Sequence, residues 1–400
     1  MANIISRLSV SKEEITRLVK DFANEHFSEA NIRSWYKNQG MPPEVLKDFY
    51  ATQLGKYCLF EELGGIQTDM QTQAYIIEQL HREAGALLPI LSNSFSLLFL
   101  RTLGDQKDFD LVKGMLEETG STGFSEAVSE PQAGSDVFAI KTTAKTADGK
   151  IYLNGTKNFV SNGEFSPYIL VLAKDEDASR HNKSMTFWLI PRNLRGVYIS
   201  PLESIGQMMT PLAVMHFDNV ELDERYALCA RGDATRAIMP CFDMGRTLIC
   251  AASLGLAEAA MDDAIQIGSK RESFGATVTS LPQIQEKLTD MEVNLRSMRA
   301  LTYEAAEKHD KAALTGFTNH EDNMNFKLSA TLAKRMVPKT ATQVASEAMQ
   351  ILGGMGYTQL SRAGRIWNDC RGNQFAQGTD EIMVKVAAKR IVADYLNGKL

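Results

Sequence analysis

Phe124-Ser125-Glu126-Ala127-Val128-Ser129-Glu130-Pro131-Gln132-Ala133-Gly134-Ser135-Asp136 is the stretch on which the fold turns. Upstream, from residue 12 to about residue 119, apolar residues recur at helical spacing, as in Ile15, Leu18, Val19 and Phe22 and again in Ile76, Ile77 and Leu80. Downstream come short runs rich in Val, Ile, Thr, Tyr and Phe. The stretch itself reads as a strand followed by small and hydroxyl residues, an arrangement that lets a bound cofactor lie against backbone.

Working outward, the helical part is broken at Gly40 to Pro43, Gly64-Gly65 and Gly104-Asp105, and Ser11-Lys12-Glu13-Glu14 reads as a helix cap with acids in its first turn. Asp148-Gly149 and Asn154-Gly155 read as hairpin turns, and strands follow at 168–173, 185–190 and 214–222. Helical spacing returns after Arg231, with long segments at 247–267, 284–308, 325–352 and 381–396. The expectation is an α+β chain of three domains: an α-helical domain over 1–120, a β domain over 121–230 and an antiparallel four-helix bundle over 231–400. Long helices with Ala- and Met-rich faces exceed what one subunit buries, which predicts a homo-oligomer.

Composition narrows the function classes. Four hundred residues, 44% hydrophobic and 23% charged, describe an ordinary globular chain, and a net charge of -6 offers no broad attraction for nucleic acid or anionic membrane. Residues 1–10 carry no signal or transit pattern, and the longest apolar runs fall short of the ~20 residues that span a bilayer. Cys58, Cys229, Cys241, Cys250 and Cys370 are scattered, which suits reduced thiols in a cytoplasmic protein, and neither they nor the six histidines have metal-ligand spacing.

A run of Ser, Gly and Ala after a strand is by itself an ordinary turn. The full Ser129-Glu130-Pro131-x-Ala133-Gly134-Ser135-Asp136 string, however, resembles the flavin-binding signature of the acyl-CoA dehydrogenase family. The resemblance implies a β-barrel-like middle domain and FAD as cofactor. It implies further that Ser129 donates to the flavin pyrimidine edge, while Gly134 and Ser135 let backbone approach the cofactor and the start of an acyl-CoA. Lys157-Asn158-Phe159-Val160-Ser161 resembles the second flavin strand: Phe159, where the family more often has Trp, covers the ring, and Ser161 reaches N5. Taken alone, Phe159 would be a core residue. Arg271 and Phe274 resemble the Arg-x-x-Phe-Gly motif whose arginine pairs with the cofactor diphosphate; Pro282, followed by Gln283, stands where the family commonly has glutamine. Gln350, Gly353 and Gly354 resemble the Gln-x-x-Gly-Gly motif that holds the diphosphate of a neighbouring subunit's FAD. Thr379 and Glu381, in Gln377-Gly378-Thr379-Asp380-Glu381-Ile382, fall among the cofactor-binding positions.

The departure is at the base. α,β-Desaturation needs a carboxylate to take the α-proton while hydride leaves Cβ. The family usually keeps a glutamate immediately before the Gly-Thr pair, where this chain has Gln377; a minority keeps it just before an arginine on the first long C-terminal helix, where this chain has Gly245 before Arg246. An amide is a poor proton acceptor near neutral pH. Phe242, Asp243 and Arg246 match residues lining the substrate channel, and Glu126 and Asp243 are the candidates to replace the base. The implied function is an FAD-dependent oxidoreductase acting on the CH–CH group of an acyl-CoA or enoyl-CoA, with electron-transferring flavoprotein as partner. The stretch from Arg365 through Ile382 resembles the carnitine-linked enoyl-CoA reductase branch, which allows the reductive direction. Two other readings are the same scaffold with altered chemistry, β-elimination of a sulfinate or oxygenation, and a weakly catalytic flavin- or CoA-binding subunit. The resemblance also implies fatty acid metabolism and a homotetramer or dimer.

Overall fold

The computed structural model describes residues 10–119, 123–176, 184–228 and 230–398; residues 1–9, the junction at 120–122 where the first domain boundary is expected, and Cys229 lie outside the described residues. In chain order the helices and strands are α1 (Lys12–His26), α2 (Glu29–Lys37), α3 (Pro43–Ala51), α4 (Gln53–Lys56), α5 (Met70–Ala84), α6 (Pro89–Leu103), α7 (Gln106–Thr119), β1 (Ser125–Ala127), β2 (Thr143–Ala147), β3 (Lys150–Ser161), β4 (Tyr168–Asp175), β5 (Met185–Pro191), β6 (Val197–Leu202), β7 (Leu212–Leu222), β8 (Ala227–Leu228), α8 (Thr235–Gly268), β9 (Glu272–Ser273), β10 (Ala276–Thr277), α9 (Pro282–Leu314), α10 (His320–Leu352), α11 (Ala363–Asn373) and α12 (Asp380–Leu396). The helical, sheet and helical order read from the sequence is the observed one. Two compact units divide the chain: Met1–Ser34 with Ile66–Leu88 and Asp243–Leu400, and Trp35–Gly65 with Pro89–Phe242.

In the first unit α1 packs on α5, α5 on α9, and α10 on α9, α11 and α12. The expected cap is present, Glu14 N–H donating to Ser11 Oγ at 3.1 Å. Helix α8 starts twelve residues before the expected 247 and carries Pro240 inside it, and α11 was not anticipated from periodicity. Small residues line α8, where Ala251, Ala252, Ala257, Ala259 and Ala260 are all fully buried, and its close approach to α5 is at Gly255. A Cβ on Gly255 would stand 2.0 Å from the backbone oxygen of Glu78. Backbone cannot swing aside as a side-chain end does. Gly255→Ala is therefore expected to destabilise the protein by at least the upper end of the ~1–3 kcal/mol typical of overpacking, read as a lowered urea midpoint at unchanged slope.

The second unit is built on a mixed eight-stranded sheet in the order β6-β7-β3-β2-β4-β5-β8, with β1 parallel to β4 along the edge that β4 also shares with β2. Strands β4 and β5 are buried along nearly their whole length, as fits strands covered on both faces. Asp148 and Gly149, at φ 52° and 76°, form the expected two-residue turn between β2 and β3. Asn154-Gly155 does not form a turn. It lies inside β3 at a bulge against β7, and Gly155 is required because a Cβ would meet Thr142 Oγ1 at 2.3 Å.

Among the described residues no helix is long and apolar enough to cross a membrane, and no group of three His, Cys, Asp or Glu side chains is placed to hold a metal. Cys58 is partly buried, and Cys241, Cys250 and Cys370 are buried thiols.

Candidate active site

In the second unit, the stretch after β1 is pinned to β3 by a buried ion pair. Lys157, with its side chain fully shielded, donates from Nζ to Glu130 Oε1 at 2.8 Å and to the Val128 oxygen at 2.9 Å. Glu130 also accepts from the backbone N–H of Lys141 and Thr142, at 2.6 and 3.0 Å, and from Gln132 Nε2 at 2.6 Å. Burial by itself would raise this carboxyl, but Lys157 and these donors override it and hold it at about 2. A backbone bond from Asn158 N–H to the Ser129 oxygen, 2.8 Å, completes the clamp. Ser129 and Phe159 are thus fixed on adjoining stretches. Neither Glu130 nor Lys157 was singled out from sequence, although both lie inside the quoted motifs.

Phe159 is not a core residue. The register of β3 against β7 slips between Lys157 and Val160, and Phe159 takes φ 58° and stands 61% exposed. A bulge that turns an aromatic outward in the left-handed region is strained, and it leaves a flat apolar face exposed. At Gly134 a Cβ would meet none of the protein's own atoms within 4 Å. The protein's packing does not need a glycine there, and its absence of side chain leaves bare backbone open to a ligand. Ser135 is exposed two residues after buried Ala133, and Ser161 ends β3.

Glu126 sits on β1, partly buried, with Ser96 Oγ of α6 at 3.4 Å from its Oε1. Burial pushes this carboxyl up to about 8, with only the Ser96 hydroxyl opposing. Phe242 meets Phe99 edge-on at 6.3 Å between centroids.

In the first unit, the remaining candidates converge on the turn before α12. Asp243 and Arg246, one helical turn apart on α8 and both buried, form an ion pair; Arg246 Nε donates to the Gln377 oxygen at 3.0 Å. Burial raises Asp243 to about 6 in spite of the guanidinium. The carboxamide of Gln377 fills the space beside Gly245: a Cβ on residue 245 would lie 3.1 Å from both Cδ and Oε1 of Gln377. The two positions therefore address one spot. That spot holds an amide whose Oε1 is buried without a hydrogen-bond partner. Lys334 on α10, fully buried, donates to the oxygens of Gln374 and Gly378 at 3.2 and 3.0 Å, and burial pulls its ammonium down to about 8. Sequence reasoning missed Lys334. A signal existed, since it falls among Ala330, Ala333, Val337 and Ala341 on the buried face of α10.

Arg271 donates to the Leu352 oxygen at 2.8 Å and its NH1 lies 3.3 Å from where a Cβ of Gly353 would be, so two separate motifs meet at the end of α10. Gln350 is exposed on the last turn of that helix, and Gly354 has open space around its Cα. Phe274, 94% exposed at φ 53°, tips the β9–β10 hairpin with Gly275. Pro282, standing where the family commonly has glutamine, is the first residue of α9, with Gln283 next to it in the first turn. Thr379 is the cap residue of α12, and Glu381 in its first turn is held below the usual carboxylate range by its own backbone N–H and by Thr379.

Family models match almost the whole chain in the same order: the N-terminal domain of acyl-CoA dehydrogenase over residues 9–107, the middle domain over 125–220 and the C-terminal domain over 232–392. The chain belongs to the acyl-CoA dehydrogenase family. A curated relative, the probable acyl-CoA dehydrogenase YdiO of Escherichia coli (strain K12), is 31% identical over 390 residues, covering 98% of this chain and 99% of the relative. Among solved structures, an acyl-CoA dehydrogenase from Slackia heliotrinireducens DSM 20476 is 36% identical with a TM-score of 0.84, covering 99% of this chain and all of that one. Butyryl-CoA dehydrogenase from Megasphaera elsdenii, at 24% identity, shares the fold, with a TM-score of 0.84 over 97% of this chain and 100% of that one. The chain is thus an acyl-CoA dehydrogenase-like oxidoreductase of this family.

Proposed function

We propose that the protein is an FAD-dependent oxidoreductase acting on the CH–CH bond next to a CoA thioester, by α,β-desaturation or by reduction of the enoyl-CoA. The observation that carries this reading is the clamp in the second unit, in which the Glu130–Lys157 pair and the Asn158–Ser129 bond fix a hydroxyl residue, open backbone and an outward aromatic on joined stretches. The residues present suit a flavin: Ser129 to bond the ring's polar edge, Gly134 and Ser135 to admit backbone contact, Phe159 to cover a ring face, and Ser161 to reach its edge. Arg271, with the end of α10 at Gly353 and Gly354, suits a diphosphate. Bound FAD would supply the hydride acceptor or donor. Exposed Phe274, Tyr357 and Tyr395 support a homo-oligomer in which these surfaces are covered. Electron-transferring flavoprotein as redox partner, a cytoplasmic location and a place in fatty acid metabolism follow from the family reading.

The proton is handled by this chain's own groups. Asp243 is occupied by Arg246 and serves to hold it against the Gln377 oxygen. Glu126, raised to about 8, keeps its proton at neutral pH and is suited to give it up in enoyl-CoA reduction; in desaturation it takes the α-proton from its ionised form, whose share grows as pH rises toward 8. A second reading, elimination of a β-substituent or oxygenation, is favoured by one observation: the spot shared by residues 245 and 377 holds an amide and no carboxylate.

The visible spectrum of the purified protein tests both. Bound yellow flavin is expected, bleached anaerobically by a short-chain acyl-CoA or, after reduction, reoxidised by an enoyl-CoA. Absence of flavin, or no redox change with any CoA thioester, sinks the first reading; sulfite release from a β-sulfinyl acyl-CoA or substrate-dependent oxygen uptake replaces it with the second.

A further inference from the structure

We propose that Lys334 is a positioning residue of the candidate active site: its buried ammonium grips the turn from Gln374 to Gly378 and thereby sets the carboxamide of Gln377. The proposal rests on the acyl-CoA reading above, in which Gln377 stands at the position where the family usually keeps its base.

The turn has an unusual shape. Gln377 and Gly378 take φ 57° and 104°, a region that a residue with a side chain enters only when its surroundings over-determine it. Two buried cations supply that constraint from two different helices. Lys334 of α10 takes the oxygens of Gln374 and Gly378, and Arg246 of α8 takes that of Gln377. Three of the five backbone oxygens in the turn are thus held by charged donors, whose hydrogen bonds are stronger and more directional than neutral ones. Arg246 has Asp243 as counter-charge. Among the described residues, the Lys334 ammonium bonds only those two backbone oxygens. Its titratable surroundings are the Cys250 thiol, which burial keeps protonated, Asp380 and Arg246. An ammonium buried this way is costly where an apolar side chain of similar length would pack. Its bonds to the oxygens of Gln374 and Gly378, on either side of Gln377, give the cost a return, because the amide holds its place beside Gly245 only if the turn does not drift.

Hydrogen exchange and kinetics on the FAD-loaded protein test this together. In Lys334→Met, peptides covering residues 374–380 are expected to exchange at least about tenfold faster with the β sheet unchanged, and kcat to fall by about a hundredfold, the order expected for a ~1 Å misplacement, while acyl-CoA affinity by spectral titration holds. Lys334→Arg is expected to recover most of both. Unchanged exchange over 374–380 in a folded Lys334→Met protein overturns the proposal, as does a loss of kcat that Lys334→Arg does not relieve at all. Should Lys334→Met fail to fold, Lys334→Gln, which keeps an N–H donor on a shorter chain, is read by the same exchange. Faster exchange in a protein whose wild type turns over no CoA thioester supports the grip and overturns the acyl-CoA reading instead.

Discussion

A Gln377→Glu protein is expected to gain acyl-CoA desaturase activity by about 10²–10⁴-fold, the usual worth of a positioned general base. Glutamate has the size of glutamine, so the new carboxylate would sit where the amide now packs beside Gly245. No new backbone strain arises, because residue 377 is already at φ 57° with a side chain present. The amide Oε1 lacks a hydrogen-bond partner, so the exchange breaks no bond at that atom. The neighbouring cations matter as well: Arg246 on the Gln377 oxygen and Lys334 on the next residue's oxygen favour the ionised carboxylate, the form that accepts a proton. The measurement is the anaerobic rate of flavin bleaching by a short-chain acyl-CoA, with Gln377→Ala as control for mere loss of the amide. A variant that holds FAD and binds acyl-CoA without gaining rate would mean that the site differs from a desaturase in more than its base.

Lys157→Met is expected to destabilise the second unit by about 3–5 kcal/mol, because removing one partner of a buried pair leaves the other charge uncompensated. Both side chains are shielded, at 0% and 2% exposure, so solvent cannot take over the role of the lost ammonium. Glu130 would keep the N–H groups of Lys141 and Thr142 but lose the one cation paired with it among the described residues. The pH dependence follows from the same pair. Since the folded carboxyl sits at about 2, below its ordinary 4.5, its contribution to stability is complete above about pH 4.5 and is lost as pH falls toward 2. Without Lys157 the carboxyl protonates at higher pH, so the acid loss of stability would begin earlier and be shallower. Denaturant melts from pH 3 to 7 of Lys157→Met, Glu130→Gln and the double variant separate the pair from its members. Additive effects of the two single changes would show that the clamp is not a coupled unit. Flavin content should fall with the clamp, because it fixes Ser129 against Asn158.

What could be read from the sequence was whatever local chemistry decides. The helical, strand and helical order, the cap at Ser11 and the Asp148-Gly149 turn each depend on residues within a few positions of one another. The motif strings were legible for the same reason, as short contiguous runs, and the family models agree with them over nearly the whole chain. Tertiary structure alone decided the rest. Asn154-Gly155 has the composition of a turn but lies in a strand, since pairing of β3 with both β2 and β7 outweighs the local preference for two residues. Phe159 faces outward because a slip of register, which no local pattern records, reversed its side. Lys157 looks like a solvated surface charge in a string of letters, and Lys334 differs from one only by its small apolar neighbours at helical spacing. They are buried because distant segments close over them and offer backbone and carboxylate oxygens in place of water. The meeting of Gly245 with Gln377 is of the same kind: Arg246 and Gln377 are 131 residues apart in sequence and joined by one hydrogen bond. Which side chains share a spot is fixed by how long helices pack, and that is a property of the folded chain, not of any stretch within it.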